Sequence, residues 1–417
     1  MTTTAAMDSS DQPPSDADAR DGAGAPAVTL QRRIPVVART LSALPQTERL
    51  QAAITSLLEA EIENGSFPGA TWIVGTSEGP LVEGGMGHAV LKPAKIAIAM
   101  DTIFDLASLT KPLVTTALAL QAAAEGRIDL HAPVAASIPE FRGTDKQEVS
   151  FIDLLTHRSG FQAWYPLYTQ GIGDEAYLDT LVRRPLRYGP GTREIYSCLG
   201  FITLTIALER LYGEPIEDLA ARKIFQPLGL TTAAFSPPAS LKYRIAATEW
   251  GNANERQMVA DRNLTFKHFR NYMIWGEVND ANAYYMGGMA GNAGLFGSAR
   301  DVFEIARQWR IGGGALLPEE MVQLALRNYT VGLEENRGFG WLLHMARPDH
   351  PSAVLSETCY GHTGFTGTSV WVDPARDLIM VLLTNRLHPY VKPLNMQAVR
   401  REFHRRVVEV WESSSRA

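Results

Sequence analysis

Ser108 and Lys111 stand three residues apart, with Leu109 and Thr110 between them. On a helix that spacing puts both side chains on one face, with Cβ atoms about 5–6 Å apart. A lysine so placed can take the proton of a serine hydroxyl, which makes the hydroxyl a nucleophile. Pro112 follows at once, and proline is tolerated in a helix's first turn but not further in. The spacing therefore predicts a helix that begins near Ser108, runs through the apolar stretch Leu113–Leu120 and stops at Gly126. Ser108 would sit among free N–H groups at the positive end of the helix dipole. Apolar residues on both sides, Phe104 to Leu106 and Leu113 onward, predict a buried Lys111, and burial lowers a lysine's pKa toward that of a usable base. Taken alone the pair is weak, since a capping serine and a solvated lysine give the same spacing.

Two more segments carry chemistry-bearing residues. One is Gly191-Thr192-Arg193-Glu194-Ile195-Tyr196-Ser197-Cys198. The other is Tyr360-Gly361-His362-Thr363-Gly364-Phe365-Thr366-Gly367, which leads into the alternating run Thr368 to Asp373. The order Ser-x-x-Lys, Tyr-Ser-x, His-Thr-Gly resembles the serine β-lactamase and penicillin-binding superfamily. The resemblance is nearest to its class C-like branch of carboxylesterases, D-amino-acid peptidases and muropeptide amidases. It covers roughly residues 46–410 and includes the flanking phrases Thr102–Ala107 and Leu154–Gly160.

The resemblance implies a role for each residue. Ser108 would form the acyl-enzyme, Lys111 would accept its proton, and Tyr196 would be a second acid/base. His362, Thr363 and Gly364 would lie on an edge strand along the cleft, and the N–H groups of Ser108 and Phe365 would form the oxyanion hole. A tyrosine shuttles protons near neutrality only if a nearby cation lowers its pKa; Lys111 and a protonatable His362, itself largely neutral at pH 7, are the expected sources. The segment Asn279-Asp280-Ala281-Asn282-Ala283 resembles a cleft-side loop of the muropeptide-amidase branch, so Asp280 and Asn282 are expected to bind substrate, although that branch has His and Glu where this chain has Asn279 and Ala281. Two further departures matter. Cys198 stands where the superfamily carries Asn or Asp, and a thiol is a poor hydrogen-bonding substitute for an amide. His362 stands where lactamases carry Lys. Both argue against efficient β-lactam hydrolysis.

Other readings compete. Gly75-Thr76-Ser77-Glu78-Gly79 matches the Gly-x-Ser-x-Gly elbow of α/β-hydrolases, but strand-like runs flank it on both sides, so it is expected to be a hairpin turn. A Cys198/His362 nucleophile pair competes with buried inert thiols. Trp164, Tyr165, Tyr168 and Tyr177 could line an acyl pocket, with Trp164 the candidate contact, or fill a core; Tyr272, Trp275, Tyr284 and Tyr285 pose the same choice.

These residues must be positioned by an α+β fold: an antiparallel sheet flanked by helices, with an inserted, mainly helical region. A helix is expected over 46–64, a hairpin over 69–90, helices over 301–311 and 318–327, and strands over 338–346, 353–360, 366–373 and 377–384. Residues 31–112 and 281–417 would form the α/β part and 113–280 the helical part of one catalytic domain. Residues 1–30, nearly free of large apolar side chains, read as a disordered tail. Arg400, Arg401, Arg405 and Arg406 interleave with Val399, Phe403, Val407 and Trp411, which predicts an amphipathic C-terminal helix with a solvated basic face.

With 45% hydrophobic and 20% charged residues the composition is that of a soluble globular protein, and a net charge of −6 gives no reason to expect nucleic acid. No run is long and apolar enough for a signal peptide or a membrane span, and two cysteines make no disulfide framework, so a cytoplasmic protein is expected. Nine histidines without a metal-ligand spacing imply no metal, and the acyl-enzyme chemistry needs no cofactor. The expected partner is a small-molecule ester or amide; the sequence sets no oligomeric state.

Overall fold

Leu50, Ile54, Leu57 and Leu58 recur at helical spacing and are the buried residues of the helix Gln46–Glu63 in the computed structural model, which describes residues 44–415. The expected tail over 1–30 lies outside the described residues. That helix packs with the buried Val399, Phe403 and Val407 of the helix Met396–Ser415 on one face of a seven-stranded sheet.

The strands are β1 (Gly69–Thr76), β2 (Gly79–Val90), β3 (Ile96–Ala97), β4 (Phe104–Asp105), β5 (Ala234–Phe235), β6 (Leu295–Gly297), β7 (Leu342–Leu343), β8 (Tyr360–Thr363), β9 (Ser369–Asp373) and β10 (Leu378–Thr384). The large sheet runs β3-β2-β1-β10-β9-β8-β7, with every neighbouring pair antiparallel. Side chains alternate along its central strands. Trp72, Val74, Met380 and Leu382 face the two terminal helices, while Ile73, Ile379, Val381 and Leu383 face the opposite layer. That layer includes the helix Ala299–Arg310, started by a capping box of Ser298 and Asp301. Each fully buried Leu, Ile or Val side chain contributes about 1.5–3 kcal/mol, so replacing Phe403 by alanine should cost about 3–5 kcal/mol. Register requires glycine opposite one aromatic: a Cβ on Gly84 would lie 2.1 Å from the Trp72 ring.

A small second sheet, β4-β6-β5, positions the candidate serine. β4 ends at Asp105 and the chain enters the turn that holds Ser108. β5 comes from the 113–280 segment, otherwise helical and looped, and joins it to β6. The expected strand over 338–346 is reduced to Leu342–Leu343, because Gly340 holds φ +68° and its N–H donates to the carbonyl of Leu155 instead of to a neighbouring strand. The strand expected over 353–360 does not form: a 3₁₀ turn, Pro351–Val354, ends inside it, residues 355–359 are loop and turn, and β8 begins only at Tyr360. Ser77 lies in the tight β1–β2 turn, its hydroxyl donating to Asp377 at 2.8 Å; the elbow reading is excluded, since no helix follows. No described helix is long and apolar enough to cross a membrane.

Candidate active site

The helix expected from Ser108 onward is built in three parts: a 3₁₀ turn Ala107–Leu109, π-helical turns Lys111–Thr116 and an α-helix Ala117–Ala124. Pro112, which has no N–H to give the ladder, falls where the helix widens. Ala107, just before the serine, holds φ +48°, a left-handed conformation unfavourable for a residue with a Cβ and typical of functional turns. Its N–H donates to Asp105 Oδ1 at 2.8 Å, and the other oxygen of Asp105 accepts from the Asn279 N–H at 2.6 Å. One buried carboxylate thus ties the serine turn to the 279–282 loop. Burial pushes Asp105 up to about 6, against the pull of its two N–H donors.

Lys111 is fully buried, with Nζ 3.0 Å from Ser108 Oγ, 2.8 Å from the carbonyl oxygen of Asn292 and 3.7 Å from Cys198 Sγ. The Tyr196 ring lies 4.9 Å from Nζ, and its hydroxyl is held between Lys111 and Ser108. Two expectations about charge are corrected here. Burial opposes the Lys111 charge, but the acidic groups of Cys198 and Tyr196 beside it favour the proton, and the balance lies above the usual lysine range. Burial raises the Tyr196 phenol more than Lys111 lowers it. At neutral pH the pair therefore holds both protons.

A third expectation fails at His362. It sits on β8, buried, and its pKa is driven well below the usual value by burial and by the charges of Lys111 and Arg337. It is a neutral ring and supplies no cation to Tyr196. Its Nδ1 lies 2.9 Å from the carbonyl of Thr363; a carbonyl only accepts, so the proton is on Nδ1 and Nε2 is an acceptor. The cation nearest Tyr196 besides Lys111 is Arg337, 5.2 Å from the ring and paired with Glu194.

Gly364 and Phe365 follow β8 and are locked against the serine turn. Thr366 and Thr368 donate through Oγ1 to the carbonyls of Asp105 and Leu106. A Cβ on Gly364 would lie 2.7 Å from the Leu106 carbonyl oxygen, so only glycine allows this approach. Arg400 Nη2 donates to the carbonyls of Gly364 and Thr368 at 3.0 and 2.9 Å. The solvated basic face expected on the last helix therefore does not hold for Arg400, which is 4% exposed. Its register explains this: Arg400 lies three and seven residues before the buried Phe403 and Val407.

The Tyr-Ser-Cys segment is held by His157. Its Nδ1 accepts the Ser197 N–H at 3.0 Å, and its ring packs 4.6 Å from that of Tyr196. Ser197 caps the helix Cys198–Tyr212, accepting from the Gly200 N–H. Cys198 borders the cleft, and burial raises its thiol above the usual range. Its polar neighbours are Lys111 and the Asn292 amide, not His362, so the Cys198/His362 pair is not assembled. The Asn292 side chain is fully buried, yet neither of its amide atoms completes a hydrogen bond.

Ser108, Tyr196 and Phe365 border two cavities. One, about 240 Å³ and mainly apolar, is also lined by Trp164, Cys198 and Asp280. The other, about 360 Å³ and richer in charge, is lined by His362, Thr363, Arg337 and Gln397. Asn282 is not in the cleft: its amide is spent on the backbone of Tyr165 and Leu167, at 2.9 Å each. Tyr165, Tyr168 and Tyr177 are core, while Trp164 faces the cavity. Tyr272, Trp275, Tyr284 and Tyr285 border neither cavity.

The chain is similar to several known proteins. The beta-lactamase family model matches residues 50–403. A "putative D-alanyl-D-alanine carboxypeptidase" of Escherichia coli K12 is 32% identical over 326 residues, covering 72% of this chain and 73% of that protein. One of the same description from Salmonella agona is 31% identical over 321 residues, covering 72% and 73%. Among solved structures, EstCE1, described as a hydrolase with promiscuous acyltransferase activity, superposes with a TM-score of 0.68 at 20% identity, covering 87% of this chain and 98% of that one. A class C beta lactamase gives 0.66 at 18%, covering 87% and 99%.

Proposed function

Within the beta-lactamase family of serine hydrolases, to which this chain belongs, we propose that it cleaves carboxylic esters through an acyl-enzyme on Ser108. The observation that carries this reading is the 3.0 Å contact of Ser108 Oγ with Lys111 Nζ, with Tyr196 held over both. Ser108 Oγ attacks the acyl carbon and its proton passes into the Lys111/Tyr196 pair. The carbonyl oxygen takes the negative charge, facing the N–H groups of Ser108 and Phe365. The pair then returns a proton to the leaving alcohol as the C–O bond breaks. Water attacks the acyl-enzyme by the same route in reverse, releasing the acid and Ser108.

The acyl group suits the smaller apolar cavity beside Cys198 and Trp164. The leaving group, released as a hydrated alcohol, suits the more polar cavity beside His362 and Thr363. An ester is favoured over an amide because Cys198 and the neutral His362 give the site fewer donors than an amide's harder cleavage requires. The second reading is a peptidase acting on D-amino-acid peptides, favoured by the description of the relatives at 31–32% identity. A chromogenic short-chain ester tests the choice. A burst equal to one acyl group per chain, with ester turnover well above that of a matched D-alanyl amide, supports the esterase; the reverse order supports the peptidase.

A further inference from the structure

A second groove, of about 640 Å³, adjoins the Ser108 cavity, and Trp164 and Met258 border both. Arg184, Arg187 and Arg262 line it, and no carboxylate does. That is unexpected in a chain with 45 acidic and 39 basic residues. Elsewhere arginines meet carboxylates: Arg210 with Glu140, Arg300 with Glu83, Arg376 with Asp373 and Glu412. The three groove arginines form no ion pair among the described residues.

Two of them are nonetheless held in place. The Arg184 guanidinium stacks 3.5 Å from the Tyr165 ring centre and donates through Nη2 to Gln162 at 3.1 Å, while its buried Nε has no partner. The Arg262 guanidinium lies 5.2 Å over Trp164 and donates through Nη1 to the Met258 carbonyl at 2.8 Å. Cations fixed by aromatic faces lose little freedom on binding, and a guanidinium matches a carboxylate or phosphate by paired N–H donors. Near Ser108, Glu255 does not oppose an anion at neutral pH, because burial pushes its carboxyl up to about 8.

We propose that this groove binds an anionic group, carboxylate or phosphate, at the far end of the acyl part of the substrate. The proposal rests on the Ser108 reading for its direction: the acyl chain leaves the reacting carbon, passes Trp164 and ends among the three arginines.

The test uses chromogenic monoesters of straight-chain dicarboxylic acids of increasing length, each paired with its uncharged methyl-capped counterpart, and a phosphate-terminated set of the same lengths. The ratio of kcat/KM, anionic over neutral, should rise by about tenfold to a hundredfold once the chain spans the groove, as expected for charge-assisted hydrogen bonds. It should fall with added salt and drop toward one in R184Q/R187Q/R262Q. Whichever anionic set shows the larger ratio names the group. If the triple variant does not fold, Arg187→Glu, at an exposed position, should lower the same ratio. A ratio near one at every length, or one that the substitutions leave unchanged, overturns the proposal. Calorimetric titration with adipate and with inorganic phosphate separates this from the Ser108 reading. Binding that the triple variant loses supports the groove even if no ester is turned over, and absent binding together with ester turnover overturns the groove alone.

Discussion

Arg400 donates through Nη2 to the carbonyl oxygen of Gly364 at 3.0 Å, one residue before the Phe365 N–H assigned to the oxyanion. A helix at the C-terminal end of the chain thereby sets the position of a backbone donor in the cleft. Arg400→Met should leave the carbonyls of Gly364 and Thr368 with only their backbone donors, the N–H groups of Gly367 and Gly364, and cost about 1–3 kcal/mol of stability. It should also lower kcat by about tenfold or more, since oxyanion donors act through position. Denaturant unfolding and ester kinetics on the same preparation check this. Unchanged kcat in a destabilised protein would confine Arg400 to a structural role.

Lys111 and Tyr196 are coupled and both hold their protons at neutral pH, so the form that can accept the Ser108 proton is the minor one. With both values raised, kcat/KM should climb about tenfold per pH unit from about pH 6 to pH 8. A neutral His362 adds no inflection in that range. Lys111→Ala and Tyr196→Phe should each lower kcat by about 10²–10⁴, and the double variant should be little worse than the poorer single. A plateau reached below pH 7, or fully multiplicative losses, contradicts a shared proton route.

Cys198 and Asn292 form an under-used polar contact beside Lys111. Replacing Cys198 with Asn gives the Asn292 amide a partner and restores a donor and acceptor near the acyl carbonyl. Cys198→Asn should fold and raise amide turnover relative to ester turnover. The readout is the ratio of kcat/KM for a matched amide and ester. Loss of ester turnover in folded Cys198→Ser would instead assign chemistry to the thiol.

Asp105 gives a stability signature. Its folded pKa, about 6, lies above the unfolded value of 3.8, so the native state binds the proton more tightly. Wild-type stability should therefore fall by up to about 3 kcal/mol from this group as pH rises from 3.5 to 6.5. Asp105→Asn lacks that dependence but loses one of the two acceptors for Ala107 and Asn279. It should be the less stable protein, with a deficit that narrows as pH rises through that window. A deficit constant with pH would mean that Asp105 ionises normally.

The parts of the site legible in the sequence were those fixed by local spacing. Ser108 and Lys111 meet because three residues on a helical turn bring them together, and the Ser77 turn followed from strand-like runs on both sides. What was not legible depends on long-range burial. Burial raises Tyr196 against the pull of Lys111, and Lys111 is raised, against its own burial, by Cys198, 87 residues away, and by Tyr196. Asn282 looked like a cleft residue because its segment resembles a cleft-side loop of the muropeptide-amidase branch, but its amide turns to the backbone of Tyr165 and Leu167. Arg400 could have been found, since its spacing to Phe403 and Val407 puts it at the edge of the apolar stripe. Asp105 and His157 both lay within phrases already noted, but the N–H groups they hold only appear with the fold.

The most direct test is peptide mapping after a fluorophosphonate probe. One adduct per chain is expected, on Ser108, abolished in Ser108→Ala and strongly slowed in Lys111→Ala. An adduct on Ser77, on Cys198, or on any serine that persists in Ser108→Ala would contradict the assignment of Ser108 as the nucleophile.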